Sequence, residues 1–302
     1  MEEMTTGLCP KCGHTLQIPA ELERFSCMYC GERLTKRQLL TQPEEASCSE
    51  EDCAVSFDHA VSRLGWCVQN FRGYQKKILR DAFFEAFETY ETGCAPVIQE
   101  LNSGVRPERQ TELLERAAEA MLDELSAGWE KKNDMEDEKV ILAIFFVPMV
   151  RKLQLPVSEE FVSLLQKKWV ERYPKSPFYL GDYESISGGF RKKFLGLCFI
   201  TTAVCQELDK PDDCAELTAF RAFRDGYLAA QPDGEALIRE YYNIAPGIVT
   251  CINTCSDRHA SYERIREQYL TPCYEDLLAG RNADCKTRYV QMVRDLEREY
   301  LN

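Results

Sequence analysis

The sequence predicts a mainly α protein, a multi-helical body with a small β-type module at its N-terminus. Three observations point there. Beyond residue 56, apolar residues recur at spacings of three and four, the period of a helix with one buried face. Helix starts and stops punctuate that pattern: Pro107, Ser158 and Asp213 at starts, Gly93 and Gly280 at stops. The first 34 residues instead carry two Cys-x2-Cys turns with short strand-like pieces, Thr15–Ile18 and Phe25–Cys27. A chain of 302 residues suggests about two domains. The divisions read as a module at 1–40, an acidic linker at 41–55, a helical domain at 56–189 and a Cys-rich helical domain at 190–302.

Cys9, Cys12, Cys27 and Cys30 form the module's two pairs, each followed by a glycine, Gly13 or Gly31. Such a turn places two sulfurs at two corners of a tetrahedron, and the glycine can take the positive φ that the turn needs. The stretch resembles a zinc ribbon. That implies one structural Zn²⁺ in a closed four-thiolate shell, with a rubredoxin-like iron site as the alternative. His14 is then a bystander. A fold this small needs the metal for its folding energy. Basic and acidic side chains balance across it, which favours a protein-facing role over nucleic acid.

Residues 41–54 hold five acidic side chains and no Lys or Arg, the composition of a solvated linker. Cys48 and Cys53 lie in it and read as free thiols. A long helix follows from Ser56 or Asp58 to about Glu91, weakened at Gly65 and Gly73 and stopped by Gly93. Its basic side chains between 61 and 80 read as a solvated face. Pro96–Asn102 reads as a short helix and Pro107–Trp129 as the next. Residues 130–139 read as a charged turn, and Asp137–Leu155 as an apolar helix kinked by Pro148. Ser158 opens a helix ending at Tyr173, and Pro174–Gly189 reads as an irregular loop.

The central stretch is Cys198–Tyr227. The apolar run from Phe194 to Val204 reads as buried all round, and Cys198 and Cys205, seven apart, would share one helical face. Asp213 with Glu216 reads as a capping box, followed by a stripe of Leu217, Phe220, Phe223 and Tyr227. With Cys198-Phe199-Ile200, Thr201-Thr202-Ala203, Phe220-Arg221, Phe223-Arg224-Asp225, Gly234, Tyr241-Tyr242 and Ala245-Pro246, residues 198–252 resemble the CFI-box C-terminal domain family. That resemblance implies no activity. A helix is expected over Asp233–Tyr242 and another from Pro246. Cys251, Cys255 and His259, spaced four and four, would line up as a second metal site on an unbroken helix, but Ser256-Asp257 is a good restart. Pro272 and Asn282 open the last two helices, with Cys273 and Cys285 flanking the turn between them.

Composition narrows the function. The net charge of −13 disfavours nucleic acid and anionic membrane surfaces. The longest apolar runs are about half of what a membrane span requires. The Met-Glu-Glu-Met start carries no export signal, so a cytoplasmic protein is expected. Its 15 cysteines then read as metal ligands, buried thiols or redox centres. Three histidines leave little for acid–base catalysis. The leading reading is a non-catalytic module that binds a protein partner. The alternative is a thiol-based redox or thiolate metal-binding protein centred on Cys198, Cys205 and Cys214. The third is a cysteine enzyme using Cys198.

Overall fold

The structure is a computed structural model; it describes residues 4–9, 15–29, 31–36, 50–131, 133–191, 198–254 and 257–302. The chain divides into two units, Met1–Val55 and Ser56–Asn302. The expected boundary near residue 190 falls inside the second.

In the first unit, β2 (Thr15–Pro19) alternates exposed and buried side chains, with Leu16 and Ile18 turned inward, the period of a half-buried strand. It pairs antiparallel with β1 (Met4–Leu8), Thr6 opposite Gln17. β3 (Arg24–Ser26) and β4 (Arg33–Thr35) form a separate antiparallel pair with Phe25 opposite Leu34. Leu16, Ile18, Leu34, Cys9 and Cys27 make the unit's small core. Gly31 takes φ +72° and donates its N–H to the Cys27 carbonyl at 2.8 Å, the positive-φ turn expected after the second Cys pair.

Helix α1 (Glu50–Leu64) opens inside the acidic run that reads as linker, with Glu50, Glu51 and Asp52 in its first turn. Acidic side chains favour a helix N-terminus, so part of that run starts a helix. Cys53 lies on it and is buried; Cys48 lies outside the described residues. The long helix expected to Glu91 is broken. α2 (Trp66–Gln69) is followed by Gly73 at φ +93° and a 3-10 turn, Tyr74–Lys77. α3 (Phe83–Gly104) then runs through both Gly93 and Pro96. Its buried stripe of Tyr90, Cys94, Val97, Ile98 and Leu101 continues across them, and that burial outweighs the local propensity cost.

α4 (Gln110–Ala127) follows a 3-10 turn opened by Pro107. α5 (Asp134–Ile141) begins within the expected charged turn, widens into a π turn, Leu142–Phe146, and continues as α6 (Val147–Leu153). In place of a simple kink at Pro148, the helix opens just before the proline, and the Val147 N–H reaches back to the Leu142 carbonyl. The same pattern precedes Pro272. There, α12 (Arg258–Ile265) widens over Arg266–Leu270 before α13 (Thr271–Leu278). A wide turn shifts the carbonyl that the proline ring would otherwise strike.

α7 (Ser158–Arg172) starts at the expected serine. The irregular loop expected over 174–189 instead ends in α8 (Tyr183–Arg191). Asp182 caps it, accepting from the Ser185 N–H and hydroxyl, both at 2.8 Å, and Ile186 and Phe190 bury on one face. α11 (Gly234–Thr254) is one helix where two are expected; Pro246 lies within it. Gly247 lets that helix touch the backbone at Ile78, since an added Cβ would stand 1.9 Å from the Ile78 oxygen. The Arg80 N–H bonds to the Asn243 carbonyl at 3.0 Å beside this contact. α14 (Asn282–Tyr300) closes the chain after Gly280 at φ +72°.

Rings join the early helices. Phe71 lies 4.6 Å from Tyr90, Tyr90 lies 5.5 Å from Phe145, and Phe83 stacks on Phe190 at 4.3 Å. Glu138 is fully buried, yet bonded by Arg72 and by the Trp129 indole at 2.8 Å. Among the described residues, no helix is long and apolar enough to cross a membrane.

Candidate functional site

The site is built from two short helices and the turn between them. α9 (Phe199–Glu207) carries Cys205, 3% exposed, on its inner face. The chain then reverses, with Asp209 at φ +53°, a conformation that Asp tolerates better than most residues. The Lys210 N–H bonds to the Cys205 carbonyl at 2.9 Å, and the Cys214 N–H to the Pro211 carbonyl at 3.0 Å. Arg221 pins the outside of the turn on Asp212, with two bonds of 2.8 Å. Cys214 stands at the start of α10 (Ala215–Ala222), which widens over Phe223–Leu228. The expected capping box does not form. Glu216 turns to Lys210, 2.5 Å away.

This reversal brings the half-buried Cys214 thiol to 3.8 Å from the Cys205 sulfur. Burial, together with hydrogen bonding to Cys214, pushes the Cys205 thiol up to about 12. A Glu216 carboxylate oxygen lies within 4.8 Å of both sulfurs. The three converge because the turn folds the start of α10 back over the end of α9.

Cys198 goes elsewhere. It precedes α9 with φ −104° and ψ 81°, so helical phase does not place it on the face of Cys205. It is 4% exposed and accepts from Arg224 Nη1 at 3.5 Å. Arg224 in turn grips Asp225 at 2.6 and 2.7 Å, a pairing that raises the guanidinium and lowers the carboxyl. Burial pushes the Cys198 thiol up against the opposing pull of Arg224 and Arg221. An apolar cavity of about 50 Å³ adjoins it, lined by Phe220, Phe223 and Tyr241 among others. The Tyr241 hydroxyl, accepting the Ile200 N–H at 3.0 Å, fixes the start of α9.

Cys251 is buried near the end of α11, and His259 is exposed on α12, 3.4 Å from Glu207. The chain restarts at Asp257, whose carbonyl accepts the Ser261 N–H at 2.8 Å, so the two lie on different helices. Cys255 lies outside the described residues. Of the N-terminal set, Cys9 and Cys27 are 1% and 2% exposed; Cys12 and Cys30 lie outside the described residues.

Two further cysteine pairs are fully buried. The Cys94 thiol points to the Cys67 carbonyl and the Cys273 thiol to the Cys285 carbonyl, each at 3.9 Å. Hydrogen bonding within each pair, then burial, pushes Cys67 and Cys285 up. The short turn between Cys273 and Cys285 signals their proximity in sequence. Nothing local signals that of Cys67 and Cys94. A separate polar cleft of about 790 Å³ is lined by Gln75, Asp137, Lys139, Ser176 and Ser261, and no described group donates to Gln75 Oε1.

Comparison of the chain with protein-family models, curated proteins and solved structures finds no match.

Proposed function

We propose that this is a thiol-based protein whose working group is the Cys205–Cys214 pair, cycling between dithiol and disulfide in a reducing cytoplasm. The observation that carries the reading is the 3.8 Å separation of the two sulfurs, with one of them half-exposed. The oxidant is a low-molecular-weight disulfide. The accessible Cys214 thiolate attacks one of its sulfurs and releases the first thiolate. Cys205, losing its proton to solvent, then attacks the Cys214 sulfur and releases the second. The sulfurs must close from this separation to about 2.05 Å.

Oxidised glutathione, followed by alkylation of the remaining thiols and peptide mapping of the full chain, tests this. A cross-link joining Cys205 to Cys214 is expected, with Cys67, Cys94, Cys273 and Cys285 alkylated after unfolding. Finding Cys205 and Cys214 both alkylated at equilibrium with excess oxidant ends the proposal. The nucleophilic-enzyme reading of Cys198 gains no support from its setting, because burial favours the unreactive thiol.

A second reading concerns the first unit. Met28 and Tyr29 follow Cys27 and are 76% and 58% exposed. Large apolar side chains at a turn suit contact with a protein partner. We propose that Cys9, Cys12, Cys27 and Cys30 hold one structural Zn²⁺ that presents this turn. The buried pair Cys9 and Cys27, in a core of only a few apolar side chains, fits a unit that needs a metal. Zinc analysis of Cys9→Ser against the unaltered chain tests it, with one equivalent lost as the expected result. We also propose that residues 198–252 form a CFI-box C-terminal domain, on Cys198-Phe199-Ile200, Phe223-Arg224-Asp225 and Tyr241-Tyr242.

A further inference from the structure

We infer that Cys205, Cys214 and Glu216 form a binding site for a thiophilic divalent cation of the zinc class, which holds the pair reduced until oxidation releases the ion. The inference rests on the thiol reading of the same pair and names what occupies it. Four observations carry it.

The first is distance. Two thiolates bound to one zinc at about 2.3 Å and occupying tetrahedral corners stand roughly 3.8 Å apart. That is the separation of Cys205 and Cys214, whereas a disulfide requires movement. The second is the ligand set. One oxygen of Glu216 lies within 4.8 Å of both sulfurs, giving two thiolates and a carboxylate. Three protein ligands leave a fourth position for water. The third is space. A void of about 10 Å³ borders two of the three ligands, Cys205 and Glu216, together with Lys210 and Thr201 among others, close to what a water at the open fourth position needs.

The fourth is a cation already in place. The Lys210 ammonium sits 2.5 Å from Glu216 Oε2, and its charge also acts on Cys205. Its side chain is 31% exposed, so it can swing to solvent when a metal takes the carboxylate. Two thiolates, one carboxylate and a divalent ion sum to one negative charge, which the displaced ammonium balances from nearby. Binding releases the thiol protons to solvent. Oxidation by a low-molecular-weight disulfide then forms the Cys205–Cys214 bond, yields two small thiolates and frees the cation.

The probe is Co²⁺, titrated into the reduced full chain and followed by thiolate-to-cobalt charge-transfer and visible ligand-field absorption. The unaltered chain should bind one equivalent more than Cys214→Ser, whatever the N-terminal cysteines hold. Glu216→Gln should weaken that equivalent at least tenfold. Lys210→Met should tighten it, because the competing ammonium is gone. Equal equivalents in the unaltered chain and Cys214→Ser overturn the site, as does a Lys210→Met chain that binds no tighter. Saturating Zn²⁺ should slow disulfide formation by oxidised glutathione in the unaltered chain. If the pair oxidises but binds no cobalt, the metal inference fails and the dithiol reading stands. If cobalt binds and the pair never oxidises, the dithiol proposal fails instead.

Discussion

Replacing Gly247 by alanine tests how α11 docks on the segment around Ile78. The new methyl would lie 1.9 Å from the Ile78 carbonyl oxygen. An ordinary carbon–oxygen contact is about 3.3 Å, so helix or turn must retreat by roughly 1.4 Å. The obstacle is backbone, which cannot rotate aside as a side chain does. Overpacking of this kind costs about 1–3 kcal/mol or more. The neighbouring bonds from the Arg80 and Asp81 N–H groups to Asn243, 3.0 and 3.1 Å long, would stretch together and add about 1 kcal/mol. Alanine's helix propensity returns about 1 kcal/mol. The net expectation is a loss of about 1–3 kcal/mol. Trp66, Trp129 and Trp169 all lie in the helical unit, so tryptophan fluorescence during urea unfolding reports on it. The midpoint should fall by about 1 M. Gly188→Ala is the control: it gains the same propensity inside α8 with nothing within 4 Å of the added Cβ, and should raise stability by up to about 1 kcal/mol. A Gly247→Ala midpoint equal to or above that of the unaltered chain would refute the close-contact argument.

Arg72→Ala should cost about 3 kcal/mol by the same urea measurement, because it strips a partner from the fully buried Glu138 carboxylate; a change under 1 kcal/mol would show that the indole bond of Trp129 suffices. Alkaline pH should destabilise the helical unit. Cys67, Cys198, Cys205 and Cys285 are all raised on folding, so above the unfolded thiol value near 8.5 the unfolded chain binds fewer protons than the folded one. Stability is then full below that value and falls as pH climbs toward the folded values, for Cys205 about 12, by at most about 1.4 kcal/mol per pH unit for each thiol. Urea midpoints that stay flat from pH 8 to 10 would contradict this. Cys67, Cys94, Cys273 and Cys285, all 0% exposed, should resist a thiol-reactive dye in the native protein and react on unfolding, while Cys214 labels first among the described cysteines.

Local signals carried the reading where an element's own residues decide its state. The strand-like piece Thr15–Ile18, the helix opened by Ser158 and the Gly280 turn before α14 follow from short-range chemistry and stand in the structure. Misreadings arose where burial overruled a breaker. Gly93, Pro96 and Pro246 are conventional interruptions, yet α3 and α11 pass through them because their apolar stripes do not pause. α8 was hidden by the opposite effect: Ser185, Gly188 and Gly189 look like loop, and only the Asp182 cap with Ile186 and Phe190 reveals a helix. The candidate site was half legible. Cys205 and Cys214 stand out as cysteines near a turn, but their meeting depends on Asp209 reversing the chain, and the separation of Cys198 depends on its lying one residue outside α9.

The rings linking Phe71, Tyr90, Phe145, Phe83 and Phe190 tie segments more than a hundred residues apart into one block. No single helix in that block can fray without unstacking rings held by others. Deuterium should therefore enter the central amides of α3 and the π turn at Leu142–Phe146 together, at the slow rate set by concerted opening of the whole assembly.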